Sequence, residues 1–336
     1  MITNKYPWLH PAVENNTIEN FSSGLLIEGE AGLAKSKLAN YFAKKLLCLE
    51  ENQPCDSCHS CSYFEAQSHP DFCFLDSQSC SSALYSYMPK GSKKENIVSH
   101  KVDGIRALND FISLTSSVSK KRVAILFDAH LMNVNAQNAL LKTLEDSSLN
   151  KHIILVSNKR RALLPTIYSR CALTSIQNPP VEEVNIWLTE QGYIDHSALN
   201  FSPDSTPLLI ESLIESNQGT HYQDLVTQLN AYCKGDVNTF DLIKFFKDLN
   251  ISFEEKVDAL IQFLKNCLGI TTGFYKANPM ITSLNSLSLN SRLTSELIEE
   301  MVQFKVELNK VPSLNEQIGS VSYTHLRAHE TLRYLV

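Results

Sequence analysis

Gly24-Leu25-Leu26-Ile27-Glu28-Gly29-Glu30-Ala31-Gly32-Leu33-Ala34-Lys35-Ser36 decides the fold of this chain. A short apolar run of strand length leads into a glycine-bearing turn, and Lys35 to Cys48 then reads as a helix. Strand, turn and helix in that order match the phosphate loop G-x-x-x-x-G-K-[ST]. In such a loop backbone N–H groups wrap the phosphates, the lysine reaches the terminal phosphates and the hydroxyl holds Mg²⁺. The first glycine is Gly29, with Gly32 inside the loop, and Lys35 and Ser36 stand in place. The second motif glycine is Ala34. A Cβ there restricts the backbone and crowds the approach of phosphate oxygens. The plainer alternative is a turn joining strand to helix, with Lys35 and Ser36 as ordinary first-turn residues.

The pattern around this loop repeats it. Phe72-Cys73-Phe74-Leu75, Arg122-Val123-Ala124-Ile125-Leu126-Phe127, His152-Ile153-Ile154-Leu155-Val156 and Cys171-Ala172-Leu173-Thr174 have strand length and composition, with helical stretches between them. This predicts an α/β domain with a parallel sheet covered by helices. Residues 78–101, rich in Ser and Lys without a steady period, suit an exposed insertion. After Pro179-Pro180 the strand-like runs stop. Helices are predicted over 181–191, 207–216, 240–249, 253–268 and 293–308, forming a small bundle and then a larger one.

The run Val123 to Asp128 has the form of a Walker B strand, whose terminal Asp128 supports Mg²⁺. An acid normally follows to orient the attacking water, but here the next residue is Ala129. Losing that carboxylate removes most of what such a site contributes to hydrolysis. Asp128 can equally be no more than the end of a buried strand.

Cys48, Cys55, Cys58 and Cys61 form C-x6-C-x2-C-x2-C just after the first long helix. Tetrahedral Zn²⁺ takes four thiolates, and two-residue gaps let neighbouring sulfurs bite one ion. An iron–sulfur cluster is the second choice, although the usual further C-P is absent, and unligated thiols are the third. With every position filled by cysteine, such a metal staples a loop and binds no substrate. His59 and His69 are expected on the surface, and the other cysteines are read as structural.

The 336 residues, 43% of them hydrophobic, can fill more than one core. There is no apolar run of membrane-spanning length and no basic leader into an apolar stretch, so a cytoplasmic protein without a membrane partner is expected. Nine cysteines with one tight cluster fit a reducing compartment. A net charge of −6 opposes a protein that holds nucleic acid unaided. Lys120-Lys121-Arg122 and Lys159-Arg160-Arg161 are then either solvated surface or local contacts to DNA phosphates.

The altered phosphate loop, the cysteine loop, the acid-less strand end and Ser169-Arg170-Cys171, in this order, resemble the delta-prime family of the bacterial DNA polymerase III clamp loader, a branch of the AAA+ proteins. Asn138-Ala139-Leu140-Leu141-Lys142-Thr143-Leu144-Glu145-Asp146 is similar to the helix that in clamp loaders reads N-A-L-L-K-T-L-E-E. The resemblance implies an AAA+ domain over 1–170 with a zinc module at 48–61, a helical lid over 171–215 and a helical collar over 216–320. It implies a non-hydrolysing stator in a five-subunit ring with gamma or tau and delta subunits, part of a DNA-directed DNA polymerase holoenzyme. That ring opens the sliding clamp and loads it on primed DNA. Arg170 would be the arginine finger reaching a neighbour's ATP, where a fork-shaped cation neutralises charge on the transferred phosphoryl group. Read alone, Arg170 is a solvated residue capping a helix. Gly29, Gly32, Lys35, Ser36 and Asp128 leave passive ATP or ADP binding open. The competing expectations are an active gamma/tau-like ATPase and a zinc-stapled adaptor with no ATPase partner.

Residues 321–336 stand apart. Val321-Ser322-Tyr323-Thr324-His325-Leu326-Arg327-Ala328-His329-Glu330-Thr331 reads as the translation of a sequencing adapter joined after Ser320, with a native polar tail as the alternative.

Overall fold

The computed structural model describes residues 2–16, 24–51, 53–75, 102–145, 150–198, 201, 205–216, 220–249 and 291–308, with 256, 257, 259–261, 263–265 and 268. The expected insertion at 78–101 and the tail at 321–336 lie outside the described residues, and of the helix expected over 253–268 the residues 253–255, 258, 262, 266 and 267 do so as well.

Five parallel strands form one sheet: β1 (Gly24–Glu28), β2 (Phe72–Leu75), β3 (Arg122–Leu126), β4 (Lys151–Ser157) and β5 (Cys171–Ser175), in the spatial order β2-β3-β4-β1-β5. In β1, Gly24 pairs with Ile153 and Cys171, and Glu28 pairs with Ser157 and Ser175. All of β1 and β3 are buried, as strands covered on both faces must be. Helix α3 (Lys35–Leu47) packs against β1, β3 and β4, with Leu38, Phe42 and Leu46 buried. A second core joins Leu26, Ala124, Leu126, Ile153 and Leu155 to Ile105, Leu108 and Phe111 of α5 (Val102–Ser113) and Ala136, Leu140 and Leu144 of α6 (Val134–Glu145). Shorter helices complete the sequence up to β5: α1 (Ile2–Lys5), α2 (His10–Asn15), α4 (His59–Glu65) and α7 (Pro165–Tyr168).

The chain divides into two compact units: Met1–Glu183 with Thr206–Leu208, and Val184–Ser205 with Leu209 onward. The first runs past the residue-170 boundary expected from the sequence, because β5 is hydrogen-bonded to β1 and belongs to the sheet. Later helices are α8 (Val181–Glu190), α9 (Pro207–Glu215), α10 (Thr220–Lys234), α11 (Thr239–Asp248) and α12 (Ser291–Leu308). Within the second unit, Leu225, Val226, Leu229 and Tyr232 of α10 share a core with Leu242 of α11, Leu260, Phe263 and Leu264. Among the described residues no helix is long and apolar enough to cross a membrane.

Candidate nucleotide site and metal centre

The loop 29–34 leaves the carboxyl end of β1, the edge of an open α/β sheet where ligands bind. Gly29 is required there, since a Cβ would lie 2.6 Å from the Ile176 carbonyl. Gly32 has φ 82°, and Ala34 takes φ 58°, ψ 23°, the left-handed region that glycine enters freely and alanine does not. The loop is pinned on two sides. Trp8 Nε1 donates to Leu33 O at 3.1 Å, and the Leu208 amide donates to Gly32 O at 3.2 Å. Lys35 is buried and its Nζ donates to the carbonyl of Glu30 within its own loop. Burial lowers the Lys35 ammonium to about 8, and the nearby charges of Asp128 and Glu30 partly oppose that. Ser36 is exposed.

At the end of β3, Asp128 has φ 49°, ψ 39° and accepts from Asn158 Nδ2 at 2.8 Å. The main-chain N–H of Asn158 donates to His130 Nδ1 at 3.3 Å. Sequence reasoning does not single out Asn158. Its signal is a side-chain amide standing next after the β4 strand, at the same sheet edge as Asp128. Ala129 is fully buried, so an apolar methyl occupies the position where a water-orienting acid would stand.

The four cysteines converge. Their sulfurs all lie within 4.8 Å of one another, with Cys48 Sγ 4.0 Å from Cys58 Sγ and Cys55 Sγ 3.9 Å from Cys61 Sγ. A tetrahedron with Zn–S bonds of about 2.3 Å has an edge of roughly 3.8 Å, so this donor set fits a four-coordinate metal. Main-chain amides point at the sulfurs: Cys58 N donates to Cys55 Sγ at 3.3 Å and Cys61 N to Cys58 Sγ at 3.4 Å. Amide donors, those of Ser57 and Cys58 foremost, pull the Cys55 thiol down to about 6, while burial pushes Cys61 up to about 12. Cys58 is the N-cap of α4 and Cys61 sits in its first turn, so half the site is set by the start of a helix.

His69 corrects one expectation. It is buried rather than on the surface, and it holds the thiol loop to the domain. His69 Nδ1 accepts from the Asp71 amide at 3.0 Å, which leaves Nε2–H to donate to Ser60 Oγ at 2.8 Å. Ser60 Oγ in turn donates to Leu47 O at 2.7 Å, capping the last carbonyls of α3. Arg122 corrects another, because it is neither solvated nor available to DNA. Its Nη2 lies 3.2 Å from Asp71 Oδ1 and its guanidinium 4.5 Å from the Phe111 ring centre. The Asp71 carboxylate, fully buried, also accepts from the amides of Ser117, Val118 and Ser119. Lys159, Arg160 and Arg161 are exposed.

Arg170 follows α7 and immediately precedes β5. Its Nε and Nη2 donate to Glu145 Oε1 at 3.0 and 2.6 Å, and Nη1 donates to Thr166 O at 3.0 Å. Because β1 and β5 run parallel, Arg170 stands at the amino-terminal edge of the sheet and the 29–36 loop at the carboxyl edge. A five-residue strand separates them, roughly 16 Å. The structure therefore brings Lys35, Asp128 and Asn158 to one edge and leaves Arg170 at the other.

A five-stranded parallel sheet with a modified phosphate loop after β1, an aspartate closing β3 and a four-thiol centre defines a P-loop α/β protein. Residues 4–180, more than half the chain, match the family described as DNA polymerase III, delta subunit. Curated relatives bearing the name DNA polymerase III subunit delta' include those of Haemophilus influenzae (26% identical, covering 80% of this chain and 78% of that protein), Escherichia coli (25%, covering 94% and 90%) and Bacillus subtilis (33%, covering 54% and 51%). The chain belongs to the DNA polymerase III delta-prime family.

Proposed function

We propose that this chain is the non-hydrolysing stator of a clamp loader, assembling with gamma or tau and delta subunits to load the sliding clamp on primed DNA. Family membership supports the assembly. Ala129 carries the non-hydrolysing part: with a buried methyl after Asp128, the chain has no carboxylate there to orient water. Arg170 supplies the arginine finger of a neighbouring ATPase. Its place at the sheet edge remote from its own phosphate loop supports action in trans, since it cannot serve the nucleotide of its own chain. Cys48, Cys55, Cys58 and Cys61 hold a structural Zn²⁺, which supplies cross-linking and no reaction chemistry. The retained Lys35, Ser36 and Asp128, with Asn158, support passive binding of ATP or ADP without turnover.

Reconstitution of the purified chain with cognate motor and delta subunits tests this reading. The isolated chain should show no ATP turnover, and Arg170→Ala should cut the DNA-stimulated ATPase of the assembly by at least about tenfold. Turnover by the isolated chain would favour the gamma/tau-like motor instead. An Arg170→Ala assembly of unchanged rate would remove the finger.

A further inference from the structure

Arg170 is hydrogen-bonded through four of its five donors. A guanidinium carries five N–H donors. Nε–H and one Nη2–H go to Glu145 Oε1 at 3.0 and 2.6 Å, and the two on Nη1 go to Thr166 O at 3.0 Å and Ser169 Oγ at 3.4 Å. Among the described residues one Nη2–H is left without a partner. The backbone that holds these groups is itself fixed. Glu145 ends α6, whose Leu140 and Leu144 share a core with Ile167 of α7, the helix that ends just before Arg170. The guanidinium is therefore anchored by a carboxylate from one helix and by oxygens from the end of another, and both helices stand on one core.

We propose that Glu145 is a positioning residue for Arg170. It orders the guanidinium before a neighbouring subunit arrives and leaves the one Nη2–H that has no partner among the described residues to meet a phosphoryl oxygen. This rests on the finger role of Arg170. An arginine on a free stem loses its rotamer freedom at the moment it engages, whereas one already tethered has lost it on folding. With Glu145 exposed and Arg170 only half-buried, the ion pair itself adds little to stability. Glu145 is an acid at the end of a helix, where the dipole disfavours negative charge, and Arg170 offsets that cost.

The test is the steady-state ATPase of the fully reconstituted loader carrying Glu145→Ala, Glu145→Gln, Arg170→Ala or the double substitution Glu145→Ala with Arg170→Ala. Glu145→Ala should lower kcat about fivefold with KM for ATP and subunit stoichiometry unchanged. Glu145→Gln, which keeps an acceptor for Nε and Nη2, should recover most of the rate. In the Arg170→Ala background, removing Glu145 should have no further effect. Three results would overturn the proposal: a Glu145→Ala rate equal to or above wild type, an equal loss with and without Arg170, or no rescue by Gln. If Arg170→Ala itself leaves kcat unchanged, the finger role fails first and Glu145 falls with it. A Glu145→Ala chain that no longer joins the ring, while Glu145→Gln joins and turns over normally, would also count against positioning and assign Glu145 to assembly.

Discussion

Lys35 shows how a single side chain records both what the loop retains and what it has given up. Its ammonium donates to the Glu30 carbonyl, inside the loop that would otherwise wrap a phosphate, while Ala34 beside it holds the left-handed conformation at φ 58°. An alanine in that region costs roughly 1–2 kcal/mol against glycine, so the turn is kept by its surroundings, Trp8 and Leu208 included, rather than by its own preference. Burial brings the Lys35 pKa from 10.5 to about 8. The folded state thus binds this proton less tightly than the unfolded chain, and stability should rise as pH climbs between those two values. Anion binding runs the other way. Below about 8 the lysine is charged and attracts phosphate; above it the charge is lost, and affinity falls by up to about tenfold per pH unit if the bound state keeps the proton. Calorimetric titration of MgADP at pH 7 and pH 9 should therefore show clearly weaker binding at the higher pH, and Lys35→Met should abolish the difference. Equal affinities in the wild-type chain, or no binding at pH 7, would end the case for a retained phosphate site.

The cysteine loop and α3 act as one element. Cys48 is the residue after Leu47, the end of the helix that begins at Lys35, and Ser60 closes back on the Leu47 carbonyl under the hold of His69. Lys44 on the same helix is paired with Asp56, between Cys55 and Cys58, and with Glu65, beyond Cys61. A metal bound by the four sulfurs would tie this segment to the helix that carries the phosphate loop at its other end. Careful purification should yield about one zinc per chain, and stripping it under reducing conditions should lower the thermal midpoint. Cys55→Ser should lose the metal, whereas Cys73→Ser, buried in the sheet and outside the cluster, should keep it. A full zinc equivalent in Cys55→Ser would refute the ligand set. Elements of this kind are readable in the sequence where one local signal suffices. The strands are visible as apolar runs, and the thiol spacing points to its own convergence. Helix α10 is hidden because Leu225, Val226, Leu229 and Tyr232 are diluted among Thr, Gln and Asn, so its apolar stripe emerges only against Leu242 and Phe263. Arg122 reads as surface because a charge triplet does not disclose that Asp71, fifty-one positions away, waits in the core to pair with it. Asn158 and Glu145 are illegible for the same reason, since their partners Asp128 and Arg170 are neighbours only after the strands have aligned.

At the scale of the whole molecule, the first compact unit is not one continuous stretch of chain. Thr206–Leu208 packs with Met1–Glu183, and the intervening residues belong to the other unit. This short return supports the phosphate loop directly, because Thr206 is buried and the Leu208 amide satisfies the Gly32 carbonyl. A fragment that stops at residue 183 retains every strand of the sheet but leaves that carbonyl without its partner and removes the buried Thr206 and Pro207. Losing a hydrogen bond to a main-chain carbonyl costs about 1 kcal/mol, and losing the burial of Thr206 and Pro207 adds about as much again. For a domain of this size each kcal/mol moves the thermal midpoint by about 2–4 °C. The fragment 1–183 should therefore fold but melt several degrees below the fragment 1–216, which restores the return segment, and the gap should appear equally by circular dichroism and by calorimetry. Equal midpoints would mean that the loop draws nothing from Thr206–Leu208. A 1–183 fragment that failed to fold at all would show instead that the return segment is part of the core and not only a cover for the phosphate loop.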